Sequence, residues 1–197
     1  IAYLRDAHGL MAQTEPGAMV VKRTADVLSE PLLHRALSSG VNKSVDVEWL
    51  LTGLRRALLL DVPAERFMDR ELFAFAIALA QQCQLNDLVF ATAPEEEAAL
   101  SECAIDWQAV KDGDANAGRM LLLNLLYAPV RDVAMPHLSV DDCQKLRPKA
   151  LGEMLKPLIQ AEATRAQLAE SIPTRGVSED RMWGKSRMQD EISPYPR

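Results

Sequence analysis

The chain has 197 residues, with 22 Lys and Arg against 28 Asp and Glu, for a formal net charge of −6. At about 100 to 200 residues per domain, this length predicts one domain with at most a short appendage, long enough to bury a core without disulfide or metal staples. The acidic balance argues against a phosphate-neutralising surface, so nucleic acid is not expected as a partner.

Leu and Ala supply 28 and 27 residues, whereas Val, Ile and Thr supply 13, 6 and 6, which favours helix over strand. Cys83, Cys103 and Cys143 are odd in number and form no C-x-x-C pair, so neither a disulfide framework nor a zinc site is signalled, and a reducing, cytoplasmic setting fits. The longest uncharged apolar runs, Leu72 to Ala80 and Met120 to Val130, fall short of the roughly 20 residues a bilayer span needs, so no membrane association is expected. The sequence opens on Ile1 without a charged stretch leading into an apolar run. No signal peptide is read, and the chain is expected to be a piece of something longer.

In chain order, Ser29 before Glu30 and Pro31, with Gly40 after Ser39, predicts a short helix over about 30–39. In 44–60, Val47, Leu50, Leu51, Leu54 and Leu58 recur at spacings of three and four, predicting an amphipathic helix with Arg55 and Arg56 on the other side, closed by Pro63. Asp69 is placed to cap the next helix, whose apolar face is Leu72, Phe73, Ala76, Ile77 and Ala80. Thr92 with Glu95 has capping-box spacing. Pro94 and three glutamates follow in the first turn, where a missing donor is harmless and negative charge suits the helix dipole. Met120 to Tyr127 is apolar nearly all round and predicts a central core helix. Ser139 with Asp142 suggests a further start that Pro148 breaks before a helix resumes over 150–170, itself kinked or interrupted at Pro157. From Ser171 on, Pro173, Gly176, Gly184, Pro194 and Pro196 mark a linker. The expected organisation is therefore an all-α, irregular multi-helix array over 1–170, able to stack like a solenoid, with an extended tail over 171–197. No fixed period of 30 to 50 residues is found.

The search for chemistry returns little. The nine glycines include no G-x-G turn for a nucleotide or adenosyl cofactor. His8, His34 and His137 have no metal-ligand spacing and read as packed or surface residues, and Cys143 six residues from His137 is not a thiolate dyad arrangement. No catalytic, cofactor-binding or metal residue is therefore expected. Between Asn86 and Asp114, eight acids against Lys111 give −7. This is either a solvated helix face or a docking surface for a basic partner, with Glu95, Glu96, Glu97 and Glu102 as the candidate interaction face. Trp49, Trp107 and Trp183 read as amphipathic packing residues. Gln81, Gln82 and Asn86, where an apolar helix ends, form either a buried polar turn or a recognition patch. In the tail, Trp183 and Tyr195 are the expected docking anchors, because aromatics offer the most buried area.

Two stretches resemble a known family. Ala78-Leu79-Ala80-Gln81-Gln82-Cys83-Gln84-Leu85-Asn86-Asp87-Leu88-Val89-Phe90 with Thr92 to Glu97, and Val177-Ser178 through Ser193-Pro194-Tyr195-Pro196-Arg197, are similar to bacterial S-adenosylmethionine-dependent methyltransferases carrying N-terminal tetratricopeptide repeats. Arg55 and Arg56 leading into Leu58, Leu59 and Leu60 match that family's "LRRALL" helix. Met188 to Ser193 departs from its "QYEEN". The resemblance implies a non-catalytic helical spacer, dimerisation or substrate-presenting module, with adenosylmethionine bound only by the parent's catalytic domain. The implied partners are that methyltransferase domain, upstream repeats, a protein substrate or a second copy. The alternatives are an independent helical adaptor whose acidic face binds a basic protein, and an enzyme with an unrecognised site.

Overall fold

A computed structural model describes residues 28–171, and among these it contains nine α-helices, one 3-10 turn and no strand. The helices are α1 (Pro31–Ser39), α2 (Val45–Leu60), α3 (Ala64–Phe67), α4 (Arg70–Leu85), α5 (Pro94–Glu102), α6 (Trp107–Asp112), α7 (Ala115–Leu125), α8 (Val130–Val133) and α9 (Lys149–Ser171). The all-α expectation holds. The chain divides into two units, Ile1–Glu162 and Ala163–Arg197, and the second is described only through its helical start, up to Ser171. His8 and the tail anchors Trp183 and Tyr195 lie outside the described residues.

The core of the first unit is organised on α4. Leu72, Phe73, Phe75, Ala76, Ile77, Ala78, Leu79 and Ala80 are all buried, so this helix is covered on every side through its middle. It meets α1, α2, α3 and α7. The predicted core stretch is indeed interior, with Leu121, Leu122, Leu123, Leu125 and Leu126 buried. At about 1.5–3 kcal/mol for each large apolar side chain removed from water, these two helices are the main source of stability. Small residues set the closest approaches. A Cβ at Gly118 would collide with the Arg147 carbonyl, and one at Gly152 with the Cys143 carbonyl, so α7 and α9 lie directly against the backbone of the 143–147 turn.

Helix ends depart from expectation by small, explicable amounts. α1 is capped by Glu30, whose carboxylate accepts from Leu32 N at 3.2 Å, rather than by Ser29. Asp69 stands at the N-cap of α4 without a side-chain cap bond and faces Arg66 instead, at 4.0 Å. The box read as Thr92–Glu95 is shifted by one residue. Ala93 is the N-cap of α5, and its N–H donates to the Glu96 carboxylate at 2.7 Å. Ser139 and Asp142 do bond reciprocally, yet they start only the 3-10 turn Asp142–Gln144. Pro148 precedes α9 as expected, but that helix runs through Pro157 without interruption. α7 begins earlier than the apolar run suggests, because Asp114 accepts from Ala117 N at 2.8 Å and caps it.

Candidate functional site

The largest fully buried side chain is a charged one. Arg55, expected on the outer side of α2, is 1 % exposed. The reason is helical geometry: position 55 lies four residues after Leu51 and three before Leu58, on the face those leucines turn inward. Arg56 does point outward and meets Glu95 at 2.6 Å on the surface.

Around Arg55 the chain assembles a closed polar centre from four segments. Arg55 Nη2 donates to the Ala91 carbonyl at 2.6 Å and to Thr92 Oγ1 at 3.3 Å. The Glu96 carboxylate, 2 % exposed, stands 3.9 Å away. Its Oε2 accepts from Ala93 N at 2.7 Å, and its Oε1 accepts from the Tyr127 hydroxyl at 2.7 Å. The guanidinium lies over the Tyr127 ring at 4.0 Å and over Phe90 at 5.7 Å, a cation–π sandwich in a desolvated setting. Arg55 Nε is buried without a hydrogen-bond partner among the described residues. Removing either charge would leave the other uncompensated in an environment of low dielectric.

This chemistry is directed inward. Burial, together with the Glu96 acceptor, pushes the Tyr127 phenol far above its ordinary value, so it stays protonated. Burial pushes the neighbouring Cys83 thiol up to about 12, and the positive Arg55 offsets only part of that. A neutral, enclosed thiol is a poor nucleophile. Cys103 is half-buried with its thiol raised by burial. Cys143 is buried, its thiol is raised in the same way, and its Sγ lies 3.5 Å from the Ser139 carbonyl.

A second, neutral network sits at the end of α4. Gln82 Nε2 donates to the Gly40 carbonyl at 3.1 Å and to Asn86 Oδ1 at 2.8 Å. Asn86 accepts from Asn42 N at 2.9 Å and donates to the Asn42 carbonyl at 3.2 Å. Gln84 reaches the other way, donating to the Leu125 and Ala128 carbonyls and accepting from Val130 N. These amides pin the α1–α2 loop and the α7–α8 loop to α4, and they hold a turn in which Asp87 and Leu88 both adopt positive φ (51° and 58°). Such a backbone is costly for residues other than glycine. Of the two readings of Gln82 and Asn86, the buried turn is the one observed; Gln81 is half-buried beside it.

The acidic face is not continuous. Glu95, Glu97 and Glu102 are exposed, but Glu96 belongs to the buried centre and leaves the proposed surface. It faces inward because it supplies the returning bond of the α5 cap. His34 is half-buried, bonded to the Leu28 carbonyl and tilted on Phe75. His137 stacks on Trp107 at 4.1 Å rather than addressing Cys143. Trp49 contradicts the packing expectation outright: it is 81 % exposed. Among the described residues no group of three or more His, Cys, Asp or Glu is arranged to hold a metal, and no helix is long and apolar enough to cross a membrane.

Trp49 is one of several apolar side chains left outside. Leu32, Val41 and Val45 are exposed at the same end, where α1 and the first turn of α2 enclose a groove of ≈ 860 Å³. Its walls are aliphatic, including Leu33, Ala36 and Val47, and the buried Gln82 borders it. The sequence signal for this surface was the Val45–Trp49 pair at i, i+4, which places both on one stripe of α2.

Compared with protein-family models, with curated proteins and with solved structures, the chain matches none.

Proposed function

We propose that this chain is a non-catalytic helical module of a bacterial S-adenosylmethionine-dependent methyltransferase, acting as a spacer, a dimerisation element or a presenter of a protein substrate. One observation carries the reading. In the segment that bears the resemblance, Gln82, Gln84 and Asn86 bond to backbone groups of neighbouring loops and to one another, and the thiol of Cys83 is buried. That segment therefore has the properties of a fold-determining signature rather than of a reaction site. In this reading cofactor binding and methyl transfer belong to a separate catalytic domain, with upstream repeats as the other neighbour. A reducing, cytoplasmic compartment belongs to the same proposal and is supported by three cysteines that all carry free thiols.

Calorimetric titration of the chain with S-adenosylmethionine tests it. No binding heat is expected up to millimolar cofactor, and a micromolar site would overturn the reading. The acidic-face adaptor is the weaker alternative, because Glu96 is withdrawn from that face and Glu95 is engaged by Arg56.

A further inference from the structure

The groove at the α1–α2 end and the side chains beside it are complementary in three respects. The first is shape. Val45 and Trp49 stand one turn apart on α2 and form an exposed apolar ridge, 78 % and 81 % accessible. The groove opens against the same first turn of α2, with aliphatic walls from Leu32, Leu33, Ala36, Val41 and Val47. Gly40 at its edge has open space where a Cβ would project, so nothing within the described residues fills the entrance.

The second is hydrogen bonding. Gln82 uses both of its amide bonds through Nε2, to Gly40 and Asn86. Its Oε1 has no partner among the described residues, although only Arg55 Nε is both sealed from solvent and unpartnered there, so this oxygen is accessible from the groove that Gln82 borders. An acceptor set in aliphatic walls selects an apolar group carrying a single donor. A tryptophan indole is such a group. The N–H of Trp49 likewise has no partner among the described residues. The third is charge: Lys43 lines the groove, and the exposed Asp46 flanks the ridge.

Because ridge and groove both adjoin the start of α2, a two-fold axis there would satisfy both on each copy at once, which is the condition for an isologous pair. We propose that two copies of the chain pair through this end, each seating its Val45–Trp49 ridge in the other's groove with the indole N–H donating to Gln82 Oε1. The pairing sharpens the dimerisation arm of the proposed function. A monomeric chain that also binds no S-adenosylmethionine would sink the pairing and leave that function standing.

Light scattering on the full chain, from low micromolar to millimolar concentration, is the test. A dimer is expected, with Trp49→Ala and Leu32→Glu each raising its dissociation constant about 30-fold or more, as for a central aromatic anchor and its pocket. Far-ultraviolet circular dichroism of both variants should match the parent, since both side chains are exposed. Mixing the two variants should restore part of the pairing, because the intact Trp49 of one meets the intact groove of the other. A chain that stays monomeric, a dimer that neither substitution weakens, or a mixture that pairs no better than either variant alone would each overturn the proposal.

Discussion

The interior around Arg55 and the outer end of α1 and α2 invert the usual distribution of polarity. Inside, a guanidinium, a carboxylate, a phenol and three amide side chains are held among leucines and phenylalanines. Outside, Leu32, Val41, Val45 and Trp49 meet solvent. The difference separates two uses of side-chain chemistry. Buried polar groups fix which loops meet which helices, since each is costly to leave unpaired, whereas exposed apolar area gains from burial only when a further surface arrives.

The strongest way to break this contrast is at its centre. Arg55→Ala should destabilise by about 3–5 kcal/mol in denaturant titration, because Glu96 would be left as an uncompensated buried charge. A loss below about 1 kcal/mol would show the pair to be dispensable. The neutral network should respond less. Asn86→Ala removes the bonds to Asn42 and Gln82 and should cost about 1–3 kcal/mol, with the α1–α2 loop the first region to gain hydrogen exchange.

Alkaline pH probes the same interior more gently. The folded Cys83 thiol lies near 12, above its ordinary 9.0, so both folded and unfolded chains are protonated below pH 9 and no stability difference arises there. Above pH 9 the unfolded chain ionises first, and stability should fall by about 1.4 kcal/mol per pH unit until the folded value is reached. Cys83→Ala should flatten that slope between pH 9 and pH 10.5; an unchanged slope would remove the thiol from the account. The smallest effect belongs to the outside. Trp49→Ala should change the stability of the isolated fold by no more than about 0.5 kcal/mol, because that side chain makes little contact with its own chain.

How far this arrangement could be read in advance depended on how local its causes are. Helix identity was legible because caps, prolines and apolar spacing act within a few residues, and α2, α4 and the Met120–Tyr127 core emerged from them. The one-residue shift at α5 was not, since Thr92 and Ala93 compete for the cap and the distant Arg55 engages Thr92. Arg55 itself was read as an outward residue on charge alone, although its spacing from Leu51 and Leu58 pointed inward. What makes its burial tolerable, the Tyr127 ring and the Glu96 carboxylate, comes from α5 and the residues after α7, a pairing no local pattern encodes. The amide network was half legible: Gln82 and Asn86 stood out at the end of an apolar helix, but their partners Gly40 and Asn42 lie more than forty positions away in sequence. Trp49 failed in the opposite sense, because an aromatic on an amphipathic helix is ordinarily a packing residue, and only the absence of a covering element at the α1–α2 end leaves it outside.

The central claim is that the buried charges act as one structural unit, and a double-mutant cycle on Arg55→Met and Glu96→Gln measures this directly. Denaturant titration of the parent, the two single variants and the double variant should give a coupling of about 1–3 kcal/mol, with the double variant less destabilised than the sum of the singles. Additivity within about 0.3 kcal/mol would contradict it, showing that Arg55 and Glu96 are held in place independently.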